Sequence, residues 1–567
     1  MDKVLNVKRK GIYGKAPFTP VEDISSIRDM IDKSFAKYAE KTIYLVKDDL
    51  KSPYREIKYK EFEEDIHALG TYFIKKGYQN KKIAVIGENR YEWAVTYLAT
   101  VCGVGTIVPM DKEIPENEIE YILEFAEVDG VVFSEKVRKN NPNVFEKFEG
   151  LKINMDSDMK TVLAEGKEYL KEKDLFAETT VDTDDVDIIL FTSGTTGKAK
   201  GVMLSHRNIT NNLMNMCSMV DIKETDTFFS LLPIHHTYEC TCGFLVPVYR
   251  GCRIAFCQGL KYIVKNMQEC HPTVILAVPL IGESMYRQIM RAIKKQGKGK
   301  LIKTMSKLCN GLLKIGIDIR RKVFKQVLDN LGGDLRLFVL GAAAVDPEVS
   351  QGFRNFGITT IQGYGLTECA PIAALNRDMY YRDDSIGLPL PESEMKIDNP
   401  DEDGIGEILI KGDNVMCGYY KNIEATKEVM KDGWFCSGDL GYEKNGFYFI
   451  TGRKKYVIIT ANGKNVFPEE VELYLSKEDI VAECMVYGKK DDKGNDSIVA
   501  AHIFPDYALA EELLGKDYKE EDLRKYIGDR IKEVNAKMPS YKAITDFDIR
   551  KEEFVKTTTK KIKRFAN

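Results

Sequence analysis

KKIAVIGENRYEWAVTYLATVCGVGTIVPMDKEIPENEIEYILEFAEVDGVVF, residues 81–133, changes its apolar period repeatedly. Residues 83–86 are a short apolar run behind two lysines, and a helical pattern around Trp93 continues to residue 101. A run at 106–109, a helix through Ile119, Ile122 and Leu123, and a run at 131–133 follow in turn. Short apolar runs without alternation suit strands buried on both faces, and here helix-length segments separate them. This β-α-β-α-β rhythm predicts an α/β fold whose largely parallel sheet carries helices on both faces.

Working outward, Ser25 and Ser26 are placed to cap a helix with the apolar face Ile27, Met30, Ile31 and Phe35; a second helix shows Phe62, Ile66, Leu69 and Phe73. Downstream come a helix at 262–270 and apolar runs at 274–278, 335–340 and 358–361. The last two runs are expected to stop at small-residue turns, GAAA from Gly341 and GYG from Gly363. Ligands of open α/β sheets bind beyond the carboxyl ends of strands, so these turns mark the expected site, although any one of them alone is more often an ordinary loop. After residue 452 the runs shorten (457–459, 484–486, 498–503) and helices fall near 468–475 and 521–538, which predicts a separate α+β domain.

The 567 residues, 44% hydrophobic and 30% charged, are enough for large cores, and domain sizes of roughly 100 to 200 residues predict three to five units. The 83 basic and 87 acidic side chains nearly cancel, which argues against a dedicated nucleic-acid binder. None of the twelve cysteines forms a CxxC pair or a zinc spacing, so reduced thiols are expected. With no secretory apolar region and no apolar run of spanning length, a cytoplasmic location is expected. Residues 287–325 carry thirteen Lys or Arg and one acid, Asp318, among apolar positions. Such a stretch suits peripheral contact with the inner face of a membrane, guidance of an acidic ligand, or a plain solvated helical face.

FTSGTTGKAKGVMLSH, residues 191–206, concentrates phosphate chemistry. Gly194, Gly197 and Gly201 allow backbone amides close to an anion; Thr192, Ser193, Thr195 and Thr196 add hydroxyls; Lys198 and Lys200 add charge. It is not the Walker loop, because only two residues separate Gly194 from the Gly197-Lys198 pair. A flexible Gly/Ser/Thr loop is the other reading.

This segment resembles the signature loop of the AMP-forming acyl-CoA synthetases, the adenylate-forming family, and further motifs in family order extend the resemblance from about residue 40 to residue 564. The resemblance implies a large multi-subdomain adenylating region with parallel-rich sheets over 1–452, a hinge at 453–456 and a mobile α+β lid over 457–567. In QGYGLTE, residues 362–368, it assigns Thr367 to the ATP phosphates, Glu368 to Mg²⁺, and Gln362, Gly363, Tyr364 and Gly365 to the adenine side; a hard cation does prefer carboxylate oxygen. Gly341, Ala342 and Ala343 resemble the adenine-contacting turn. Asp439 matches the ribose-binding carboxylate and Arg453 its companion. His236, of the pair His235-His236, matches the position that orients the acyl carboxylate, with His235 read as structural. Lys561, in KTTTKKIKR, matches the catalytic lysine of adenylate formation; the family's preceding glycine is Lys560 here. Lys455 falls at the hinge residue, and Gly463 in the loop that lines the thiol tunnel.

The implied chemistry joins a carboxylic acid to ATP with loss of pyrophosphate, then transfers the acyl group to CoA as the lid turns. Segment 320–345 looks most like long-chain fatty acid–CoA ligases. An acyl carrier protein as the thiol acceptor, a different carboxylic acid, and a non-catalytic lipid-binding relative are the competing readings. A modular peptide synthetase is not expected, since no carrier domain follows Arg564.

Overall fold

In a computed structural model the described residues are 2–3, 10–192, 199–343, 345–460, 464–490, 496–556 and 562–564. Their contacts form two compact units rather than three to five: residues 1–395, 410–435 and 445–447 in one, residues 396–409, 436–444 and 448–567 in the other. The second unit thus takes in strands that precede residue 452.

The first unit holds two large sheets. In the seven-stranded one, Lys81–Ile86 lies between Gly105–Met110 and Gly130–Phe133, parallel to both, as the opening stretch predicts. All four residues from Ile83 to Ile86 are buried, which is why the run shows no alternation. The helix ends earlier than read, at Ala99, and a single π turn, Thr100–Val104, leads into the next strand. The nine-stranded sheet has a parallel core of Thr359–Gly365, Leu337–Leu340, Val274–Ala277, Thr227–Ser230, Arg253–Phe256 and Thr42–Val46. Ser26 Oγ accepts from Asp29 N (2.9 Å) and caps helix Ile27–Tyr38; Ser25 binds the Asp29 carboxylate instead.

The predicted turn at 363–365 is a strand. Gly363 and Gly365 pair antiparallel with Leu375 and Ile372. A Cβ on Gly365 would lie 2.0 Å from Pro371 O, so glycine here serves close strand approach rather than a bend.

Helix His206–Met219 touches strands of both sheets, and all its residues except Arg207 are buried. Its polar side chains are internal partners. Asn208 Nδ2 donates to Asp413 O (2.8 Å) and Val415 O (2.9 Å), and Asn212 Nδ2 to Cys369 O (3.0 Å) and Ile372 O (2.8 Å). Buried amides stay only where such bonds replace water. His206 is likewise structural: Nδ1 accepts from Ile27 N and Nε2 donates to Val101 O, both at 3.0 Å.

The second unit is α+β. Val481–Lys490 pairs antiparallel with Asp496–Pro505, which pairs parallel with Asp546–Ile549. Helix Glu520–Asn535 packs Leu523, Ile527, Ile531 and Val534 into a core with Val471, Val486 and Ile503. The helix stops three residues before the predicted end at Met538. All twelve cysteines are free, and among the described residues no helix is long and apolar enough to cross a membrane.

Candidate active site

Strands Leu337–Leu340 and Thr359–Gly365 run parallel and adjacent, so the residues after both come to the same end of the sheet. Gly341 follows the first; a Cβ there would press on the Tyr238 ring at 3.1 Å. Ala342 has a left-handed backbone, φ +72°. That conformation costs a non-glycine residue about 1–2 kcal/mol, and backbone strain of this kind gathers at functional sites. Ala343 is exposed. Gln362 and Tyr364 are buried, and Gln362 O accepts from Asn376 N at 3.0 Å.

Thr367 and Glu368 open a 3₁₀ turn, Thr367–Cys369, and both are partly exposed. Glu368 is held on two sides. Tyr419 Oη donates to its Oε1 (2.9 Å), and its carbonyl accepts from Met416 N (2.8 Å). Lys200 Nζ stands 5.0 Å over the Tyr419 ring, so the far end of the glycine-rich segment and Glu368 meet at one tyrosine. On the near end, Thr192 Oγ1 donates to Lys200 O at 3.5 Å, across antiparallel strands Val186–Thr192 and Lys200–Ser205. Ser193, Gly194, Thr195, Thr196, Gly197 and Lys198 lie outside the described residues, as do Gly463 and Lys561.

The histidines follow strand Thr227–Ser230. Their rings are 4.1 Å apart, and His235 Nε2 is 3.6 Å from Asp111 Oδ2. Burial pushes the His235 imidazole well below its usual range, and His236 and Lys112 add to the effect, so His235 is neutral. His236 is only partly buried. Two residues on, Tyr238 Oη donates to Val339 O (3.2 Å), which brings the histidine segment beside the Gly341 turn.

Glu239 is buried in a π-helical segment, Tyr238–Leu245, where Gly243 makes room for it: a Cβ would sit 2.7 Å from its Cδ. Ser230 Oγ donates to Oε1 at 2.7 Å, while Oε2 has no hydrogen-bond partner among the described residues. Burial therefore prevails over that bond and raises the carboxyl to about 8. Below its unfolded value near 4.5 the group is protonated in both states and costs nothing. As pH rises from there to about 8 only the unfolded chain loses the proton, and native stability falls by ~1.4 kcal/mol per unit. Glu239→Gln removes this slope. Denaturant melts should show the variant gaining up to ~4 kcal/mol on the wild type between about pH 5 and about pH 8; parallel curves would mean an ionised Glu239.

In the second unit, buried Asp439 pairs with Arg453, Oδ1 to Nε at 2.6 Å. Gly438 takes φ +71° and donates its N–H to Glu407 Oε1 (3.1 Å), and Asp439 N donates to Ser437 Oγ (3.1 Å). Lys455 is exposed, in the 3₁₀ turn Lys454–Tyr456. Arg564 binds Glu472 with Nη2 (2.6 Å) and Val486 O with Nη1 (2.8 Å).

Sequence reading omitted Tyr419, Asn212, Asp111 and Glu239. Tyr419 was the findable one, since Gly418-Tyr419-Tyr420 is a strand signal; the rest read as ordinary polar positions.

A carboxylate and hydroxyl at a strand end, beside a left-handed small-residue turn and near Lys200, are groups of the kind that hold a metal ion and phosphate. The chain belongs to the AMP-binding enzyme family, and so to the adenylate-forming acyl-CoA ligases: residues 31–420 match the AMP-binding enzyme domain and residues 455–566 the AMP-binding enzyme C-terminal domain. Long-chain-fatty-acid–CoA ligase 1 of Homo sapiens is 31% identical over 484 residues, covering 77% of this chain and 68% of that one. Long chain acyl-CoA synthetase 2 of Arabidopsis thaliana is 25% identical over 553 residues, covering 88% and 81%. Among solved structures, the anthranilate CoA ligase AuaEII with anthranoyl-AMP matches with TM-score 0.75 at 20% identity (98% and 97% covered). ATP-bound MatB from Rhodopseudomonas palustris matches with TM-score 0.75 at 22% identity (95% and 97%). These two likenesses are of fold.

Proposed function

We propose that the protein activates a long-chain fatty acid, first as acyl-AMP and then as acyl-CoA. The observation that carries the reading is Glu368, fixed by Tyr419 at a strand end next to the Gly341 turn and Lys200. The long-chain class is supported by curated relatives that bear that name at about 30% identity.

In the first half-reaction a carboxylate oxygen attacks the α-phosphorus of ATP, and the bond to pyrophosphate breaks. His236 orients the acid. Thr367, Thr192, Ser193, Gly194, Thr195, Thr196, Gly197 and Lys198 hold phosphate. Gly341, Ala342, Ala343 and Gln362 to Gly365 flank the base, and Asp439, oriented by Arg453, takes the ribose. The partly exposed Glu368 carboxylate, with one oxygen bonded to Tyr419, is a suitable hard donor for Mg²⁺, which would neutralise phosphate charge when bound. Lys561 stabilises charge on the phosphoryl oxygens. In the second half-reaction the thiol sulfur attacks the acyl carbon, losing its proton, and AMP leaves; Lys455 is assigned the hinge role, Lys561 the first half-reaction and Gly463 the second. Twelve free thiols suit the reducing cytoplasm.

The test is pyrophosphate release over carboxylic acids of increasing chain length, with CoA, with holo acyl carrier protein, or with neither. We expect palmitate-length acids to be preferred and CoA to carry turnover. A preference for malonate or an aryl acid would overturn the long-chain class, turnover with carrier protein alone would change the acceptor, and no release with any acid would leave only a lipid-binding relative.

A further inference from the structure

Asp111, His235 and His236 each bring one ligand atom within 4.8 Å of the other two. Asp111 follows strand Gly105–Met110 of the seven-stranded sheet, and the histidines come after Thr227–Ser230 of the nine-stranded one, so the cluster lies beyond the carboxyl ends of both strands. His235 is 6% exposed, and its Nε2 has no hydrogen-bond partner among the described residues, although Asp111 Oδ2 stands 3.6 Å away. That separation is too long for a hydrogen bond but suits a shared ion, since ligand atoms around a four-coordinate zinc lie ~3.3 Å apart. Any wider gap in the set involves His236, which is partly exposed and can turn its ring inward; its exposure also gives an ion a way in. The other ligands are held from behind. Asp111 Oδ1 accepts from Glu113 N (2.9 Å), which leaves Oδ2 to face the imidazole. Asn89 fixes the histidine segment, Nδ2 donating to Leu232 O (2.6 Å) and Oδ1 accepting from Ile234 N (3.0 Å). Outer bonds of this kind orient metal ligands. The Lys112 ammonium nearby opposes a cation, and the Asp111 carboxylate offsets it.

We propose that Asp111, His235 and His236 bind a divalent transition-metal ion of the zinc class, with three protein ligands and an open fourth position. Two imidazoles and one carboxylate suit zinc and its neighbours, whereas Mg²⁺ is a hard ion that asks for oxygen, so this site differs in kind from the Glu368 carboxylate. The ion takes up the His236 ring and should therefore inhibit activation of the acid. That consequence rests on the role proposed for His236; the binding itself does not.

The test uses the full chain, stripped of metal with a chelator and alkylated at its accessible thiols, since the exposed Cys417 would compete for zinc. Titration of Zn²⁺ against a chromophoric indicator should show about one equivalent bound with a Kd of about 1 μM or below. Asp111→Asn and, separately, His235→Gln should each weaken binding at least about tenfold. If His235→Gln lowers the melting temperature, Asp111→Asn, at a less buried position, carries the comparison. Bound Co²⁺ should show the visible bands of a four-coordinate ion on nitrogen and oxygen. A sulfur-to-cobalt charge-transfer band would move the ion to a cysteine and overturn the proposal, as would the absence of stoichiometric binding or an unchanged affinity in Asp111→Asn. Zinc should also lower pyrophosphate release with a soluble acid under excess Mg²⁺, and Asp111→Asn should need at least about tenfold more zinc for the same fractional loss. Zinc binding that is lost in Asp111→Asn yet never inhibits the wild type would uphold the metal site and remove His236 from the acid.

Discussion

Glu368→Gln is expected to lower acid-dependent ATP–pyrophosphate exchange roughly 100-fold, ~2.7 kcal/mol of transition-state stabilisation, with little change in thermal stability. The amide keeps an oxygen able to accept from Tyr419 Oη, and the backbone bond from Met416 N is untouched, so the turn stays folded. What is lost is the negative charge that a hard cation needs. Tyr419→Phe is the informative companion. It leaves the carboxylate in place and frees one oxygen, so its effect should be about tenfold and should appear in the Mg²⁺ concentration dependence. Exchange by Glu368→Gln at the wild-type rate would remove Glu368 from the cation.

Lys561→Ala should separate the two half-reactions. Pyrophosphate exchange should fall about 100- to 1,000-fold, while thioester formation from supplied acyl-AMP stays within about tenfold of the wild type. The separation follows from the need for an extra cation only while charge builds on the phosphoryl oxygens. The chain beyond Lys561 is tied to its own domain: Ile562 bridges to Lys556, and Arg564 binds Glu472 and Val486. Loss of both half-reactions together would instead give Lys561 a structural role.

The parallel sheet was legible because residues 83–86, 107–109 and 131–133 are buried and leave an unmistakable run of apolar side chains. The end of helix Tyr91–Ala99 was not, because the π turn after it keeps the same apolar composition. Gly363 and Gly365 misled for a different reason: glycine signals a bend and a close strand approach equally well, and only Pro371 across the pair decides between them. Motif resemblance is what singles out Glu368, Asp439 and the Gly341 turn as candidates. Glu239 was invisible, since a carboxylate kept neutral by burial has the same letter as one on the surface, and the residue that makes room for it, Gly243, is four positions away.

The asparagine-bearing helix His206–Met219 sets the mechanical character of the turn that carries Glu368. Asn212 grips the carbonyls of Cys369 and Ile372 at the two ends of the segment that follows Glu368, and Asn414 adds a second hold on Ile372 at 2.9 Å. The helix that supplies Asn212 is buried among both sheets, so this turn has no inexpensive way to loosen by itself. Local order at Glu368 and cohesion of the large unit are therefore a single quantity. A packing defect along that helix should therefore lower the melting temperature of the large unit and the order at Glu368 together, over the same temperature range.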